Sequence, residues 1–219
     1  MQTKLRSFKI SGIAIMLFIS MTMISAAQTN RFSISINSTS SNFSYGNRNS
    51  ELRPFKKDYK GFKVGISFQR GITPSFSLVP EVFFSIKGGT LKEKNPVTIN
   101  KSTIRLYTID LPVLARFYLN KFYINAGPYA GYNLGGRLKV AGSESIPGRI
   151  TKISFNNASS GFRRIDLGLL AGAGYNFKMK KSTLTLDARY GYGFTSLSRD
   201  IERFNRMLEI SLVVSKRKS

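Results

Sequence analysis

The chain has 219 residues, room for one sizeable domain. It contains no Cys, His or Trp, which excludes disulfide frameworks, Cys/His zinc sites and His-based nucleophilic triads. Its formal net charge of +23 calls for an anionic partner or counter-ion.

Residues 1–27 read as a secretory signal. Lys4, Arg6 and Lys9 form a positive start, "ISGIAIMLFISMTMIS" an apolar run, and Ser25-Ala26-Ala27 the small-residue end of a cut before Gln28. An uncleaved anchor is the alternative, because the run approaches the ~17 residues needed to span a bilayer. Residues 28–219 then form a single domain. Three of the 34 basic residues and none of the 11 acidic ones lie in the leader, leaving a mature net charge of +20. For an exported chain, anionic lipid or glycan phosphate is the expected counter-charge, not nucleic acid. No second apolar run of about 18 residues follows, so no spanning helix is expected.

Beyond the leader the dominant period is two, the signature of strands. Phe32, Ile34 and Ile36 alternate with Ser33, Ser35 and Asn37, and Phe62, Val64, Ile66 and Phe68 with Lys63, Gly65, Ser67 and Gln69. Phe76, Leu78, Val82, Phe84 and Ile86 oppose Ser77, Glu81, Ser85 and Lys87; Ile109, Leu111, Val113, Ala115 and Phe117 oppose Asp110, Arg116 and Tyr118. Across 122–138 the even positions, Phe122 to Leu138, form one face and the odd ones, Tyr123 to Arg137, the other. Three further segments, about 164–177, 184–194 and 208–215, complete eight strands. The tight connections 71–75, 119–121 and 179–182 alternate with long polar ones near 38–60, 90–102, 139–161 and 197–204. That alternation predicts an all-β, eight-stranded, antiparallel up-and-down transmembrane β-barrel.

Three features turn the apolar face outward, against the alternative of a secreted, lipocalin-like barrel binding an apolar ligand. The polar face is crowded with glycine, which makes room in a narrow lumen for large side chains opposite. Charges sit on the polar face or in loops. Arg105, Arg163 and Arg206, which share the apolar parity, lie at loop ends where they can snorkel. Phe117, Phe122, Tyr175 and Phe177 gather beside the short turns, as a periplasmic-side aromatic girdle would. The lumen is then polar and filled by side chains. Its expected ion-pair network is Lys63, Glu81, Lys87, Asp110, Arg116, Arg164, Asp166, Asp187, Arg189 and Glu209, since buried charges require partners. A two-residue 179–182 turn would set Arg189 opposite Gly172 and Asp187 opposite Gly174. The carboxylates also admit a reading as an acid–base pair for glycan or lipid chemistry. No cofactor is implied. The basic first long loop reads either as solvated or as a binder of lipid phosphate, such as that of lipopolysaccharide.

"LYTIDLPVLARFYL", "FYINAGPYAGYNLGG", "RIDLGLLAGAGYNF" and "TLDARYGYG" resemble, in this order, the PorT-type outer-membrane β-barrel proteins of the Bacteroidetes. The resemblance covers about residues 30–215. It implies an eight-stranded barrel in the outer membrane, in a family mostly of unassigned function with one branch linked to secretion. The leading expectation is a non-enzymatic integral barrel with a structural or secretion-associated role and envelope proteins as partners. The aromatic residue common at the end of the last strand is absent, Val214 standing in its place. Pro80, Pro112 and Pro128 lie at similar depth on three successive strands, and a mid-strand bulge or bend is expected there.

Overall fold

Alternating apolar and polar residues give pleated strands with one face for each medium, and the computed structural model closes them into a barrel. Residues 30–142, 147–155 and 161–216 are described, so the expected signal segment lies outside them. The wall consists of β1 (Arg31–Ser44), β2 (Lys56–Thr73), β3 (Phe76–Leu91), β4 (Ser102–Leu119), β5 (Phe122–Val140), β7 (Ile165–Lys178), β8 (Ser182–Gly193) and β9 (Phe204–Lys216). Each strand pairs antiparallel with the next, and β1 closes the circle on β9. A short β6 (Arg149–Lys152) adds to the upper part of β5 within a long loop. Closure removes the sheet edges, leaving no barrel strand with an unpaired side.

The outer wall is apolar. Ile34, Ile66, Val113, Leu169, Ile210 and Leu212 all stand exposed, an arrangement that water would penalise and hydrocarbon accepts. This outward face overturns the soluble-barrel alternative. At the short-turn end Phe76 stacks on Phe117 with centroids 4.7 Å apart, Phe122 on Tyr175 at 4.6 Å, and Tyr175 on Phe177 at 4.7 Å. The four girdle residues thus surround the turns on β4, β5 and β7.

The strands run further toward the long loops than the sequence pattern indicates. A tilted strand crosses a bilayer in about 9–11 residues, yet β2 and β4 have 18 and β5 has 19. β1 continues to Ser44 through Ser38, Ser40 and Asn42, which pair with Ile210, Leu208 and Arg206 of β9. Toward the loops the outward residues of β1 turn polar while inward Thr39 and Ser41 stay polar and Phe43 turns apolar, so the amphipathic contrast disappears while the ladder continues.

The prolines do not bulge the wall. Opposite Pro80, Pro112 and Pro128 the β2–β3, β3–β4 and β4–β5 ladders each skip two pairs, then resume in the same register. The β5–β7 ladder runs unbroken past Pro128. Each proline therefore withholds one backbone donor on a single side, and the flanking pairs hold the alignment. The expected bulge lies elsewhere. Between Tyr107↔Gly135 and Thr108↔Asn133 the register shifts, leaving Leu134 as the extra residue of β5. This shift reverses the parity of the upper strand. Arg137 and Lys139 now point outward, and Gly136 turns inward and becomes buried.

Candidate functional site

The β7–β8 hairpin has the anticipated register, with Gly172 opposite Arg189 and Gly174 opposite Asp187. Strand alternation then sends Asp187 and Arg189 into the lumen, where both are buried. Arg189 makes a fork on Glu81 of β3, Nη1 to Oε2 at 2.6 Å and Nη2 to Oε1 at 3.1 Å, while its Nε donates to Asp187 Oδ1 at 2.6 Å. Arg116 stands 4.0 Å from the other Asp187 oxygen and lies over the Tyr123 ring, 4.1 Å from its centroid. Tyr123 donates its hydroxyl to Asp187 as well.

A second group forms an alternating chain across five strands. Glu209 accepts from Lys63 at 2.7 Å, Lys63 reaches Asp110 at 3.3 Å, and Lys87 bridges Asp110 and Asp166 at 3.0 Å each. Ser85 donates to Asp110 and Asn205 to Asp166. Along β4 the inward order Arg116, Leu114, Pro112, Asp110 separates the two groups by two apolar steps. Leu114 there packs with Val79, Tyr129, Leu170 and Met207. Nine of the ten anticipated network residues thus meet in the lumen.

Arg164 does not join them. It lies exposed at the loop end of β7, donates to the Asn133 carbonyl at 3.1 Å, and covers the rings of Tyr132 and Phe155. The barrel ladder of β7 begins only at Ile165, so strand parity does not govern a residue one position earlier. Arg105 and Arg206, read from sequence as snorkelling, stack on Tyr59 and Tyr192, with centroids at 5.6 and 3.4 Å.

Two contributors escape a reading based on charge. The first is the inward aromatic set, Phe83, Tyr123 and Tyr129, which fills space opposite glycines. A Cβ on Gly174 would strike the Tyr123 ring and one on Gly168 the Tyr129 ring. Their inward parity was the available signal. The second is a cap over the long-loop mouth. Phe43, Tyr45, Leu52, Leu91, Ile104, Leu106 and Leu197 form a buried cluster, with Phe55, Val97, Phe162 and Ile201 packed against it. Leu52 and Leu197 sit in polar loop sequence, where single apolar residues carry no period. Burial pushes the Tyr45 hydroxyl up to about 12, despite the opposing pull of Arg203.

What the arrangement does chemically follows from these contacts. An eight-stranded interior is just wide enough to be filled by side chains, and here ion pairs, aromatic rings and the cap occupy successive levels. Among the described residues, every lumenal carboxylate has a cation within 4.0 Å.

The sequence matches the family model described as outer membrane protein beta-barrel domain over residues 5–199. The chain belongs to this family. Among solved structures, Neisserial surface protein A is similar at 16% identity, over 88% of this chain and 100% of that one, with a TM-score of 0.44. Ail, the attachment invasion locus protein of Yersinia pestis, is similar at 12% identity, over 89% and 100%, with a TM-score of 0.43. OprG of Pseudomonas aeruginosa is similar at 10% identity, over 88% and 96%, with a TM-score of 0.42. No curated protein is matched. As an outer membrane β-barrel protein the chain places its apolar wall in the lipid of the outer membrane, with the lumenal network inside.

Proposed function

We propose that this outer membrane β-barrel protein is a non-conducting, non-enzymatic scaffold that presents its loops and turns to another envelope component. The observation that carries the reading is the double closure of the lumen, by two ion-paired groups and by the apolar cap at the mouth. A scaffold needs a rigid wall and no passage, and buried, ion-paired charges supply rigidity at the expense of a channel. The PorT-type order of motifs supports a secretion-associated partner as the finer form of the same role. Asp110, Asp187 and Glu209, the carboxylates best placed for an enzyme, are fully buried and engaged, which speaks against glycan or lipid hydrolysis.

The test has two parts. Folded protein in planar bilayers and swelling liposomes is expected to give no stepwise conductance and no solute entry. Crosslinking in intact cells, followed by mild-detergent extraction, is expected to recover a defined envelope protein. Reproducible conductance from the folded barrel would overturn the proposal.

A further inference from the structure

The Leu134 bulge has a consequence on the outer wall. By turning Arg137 outward it sets Arg137 directly opposite Arg105 of β4, and on its other side Lys152 of β6 pairs directly with Arg137. Arg137 and Lys152 thus stand side by side and exposed, while the Arg105 guanidinium leans the other way, over the Tyr59 ring of β2. Like charges directly opposite one another in a sheet repel. Among the described residues, no carboxylate forms an ion pair with Arg105, Arg137, Lys152 or Arg164. Arg105 and Arg164 are held by ring and carbonyl contacts, but the paired charges of Arg137 and Lys152 are left without an anion among these residues.

The surroundings describe the missing partner. A recess of about 360 Å³ opens beside this pair, lined by Arg137, Lys152 and Arg164 together with Tyr107, Leu134 and Phe155. Gly135 leaves open the space beneath, its nearest neighbour being the Tyr107 ring at 4.0 Å from an added Cβ. Arg105 lies one outward step beyond Tyr107, about 7 Å along the strand. Below it the exposed Tyr132, Leu134 and Ile165 begin the apolar wall. The cations therefore stand at the upper border of the hydrocarbon-facing surface, the level of lipid headgroups. By contrast, the basic first loop is partly satisfied within itself, Arg48 by Glu51 and Lys56 by Asn49.

We propose that Arg137, Lys152 and Arg164 bind the phosphate of an anionic lipid whose acyl chains lie on the wall below. Guanidinium groups suit phosphate oxygens in a two-bonded fork, and an amphiphile matches a recess that is cationic above and apolar below. The inference rests on the outer wall facing lipid and is independent of the scaffold role.

The experiment uses the folded full chain in phosphatidylcholine nanodiscs doped with phosphatidic acid, with retained lipid counted by native mass spectrometry. Phosphatidic acid is expected to be retained in preference to phosphatidylcholine. Arg137→Ser with Lys152→Ser is expected to lower that retention about 30-fold, whereas Arg53→Ser with Lys57→Ser in and beside the first loop leaves it within about twofold. Lys152→Glu, on the exposed loop strand, repeats the loss without altering the barrel wall, and heat-modifiable migration reports that each variant is folded. Equal retention by the folded variants would overturn the proposal. Competition by glucose 1-phosphate as effective as by phosphatidic acid would also overturn it, assigning the three cations to a soluble phosphate. Either failure leaves the conductance result, and with it the scaffold reading, untouched.

Discussion

Lys63 of β2 and Glu209 of β9 meet at 2.7 Å inside the lumen, reaching past β1, the strand that lies between theirs. Both are buried, and Lys63 also neutralises Asp110 at 3.3 Å. Their contact ties the first half of the barrel to its last strand at the point where the sheet closes.

Removing one partner of such a pair leaves an uncompensated buried charge. Lys63→Met is therefore expected to destabilise the barrel by about 3–5 kcal/mol. Adding Glu209→Met should recover much of that loss, because an apolar pair of similar volume restores balance around Asp110 and Lys87. Urea titration followed by the shift between folded and unfolded gel mobility measures both. A double variant no more stable than Lys63→Met alone would contradict this account of the network.

Gly174 tests the close packing of the lumen. A methyl group there overlaps the Tyr123 ring, whose hydroxyl is committed to Asp187 and whose face is covered by Arg116. The ring has no free direction in which to move. Gly174→Ala is expected to cost about 1–3 kcal/mol through overpacking. In a Tyr123→Val background the same substitution should be nearly neutral, so a double-mutant cycle reads the clash as a coupling energy.

How much of this was legible follows from where the solvent changes. Within the hydrocarbon the faces differ sharply, so Ile34 and Ile66 declare themselves outward and Lys63 and Asp110 inward from sequence alone. The same parity brings Arg189 to Gly172 and Asp187 to Gly174. Above the hydrocarbon that contrast ends, and the extension of β1 through Ser38, Ser40 and Asn42 leaves no pattern. Parity counting also fails across a bulge. Arg137 has lumenal parity until Leu134 inserts an extra residue, and nothing at Leu134 itself announces the insertion. Proline misled for a related reason, since a lost donor is visible in sequence but the strength of the flanking ladder is not. The partners of each lumenal charge were hidden too, because Lys63 and Glu209 are 146 positions apart.

Pro128 withholds its donor on the β4 side, where the pairs Val113–Pro128 and Leu114–Gly127 are missing from the ladder. Pro128→Ala supplies that donor in an already aligned register. The gain of a ladder bond is about 0.5–1.5 kcal/mol in water and larger in hydrocarbon, where an unmet carbonyl is more costly. Against it stands the greater unfolded-chain entropy of alanine, about 0.4–1 kcal/mol. The bond outweighs the entropy, and the variant is expected to be more stable. Hydrogen exchange should show the new amide at 128 protected to the level of its β5 neighbours; a fast-exchanging amide would mean that the ladder gap has another cause.

Tyr45 makes the mouth cap sensitive to alkali. Its ring packs edge-on to Phe43 at 6.5 Å within the apolar cluster, and burial pushes its hydroxyl from 10.0 up to about 12. The raised value means that the folded cap favours the neutral phenol. Its stabilising contribution is fully present below the unfolded value of 10.0 and is lost as pH rises through about 12. Between those limits the wild-type cap is expected to loosen progressively, because ionisation brings a charge into an apolar cluster. Phenolate absorbance, taken as the difference between wild type and Tyr45→Phe, should show one tyrosine titrating late. Protease sensitivity of the 45–55 loop should rise over the same interval in wild type. In Tyr45→Phe that rise should be absent or displaced, because the group that ionises is gone. A wild-type cap equally resistant at pH 9 and pH 12 would show that Tyr45 does not control its closure.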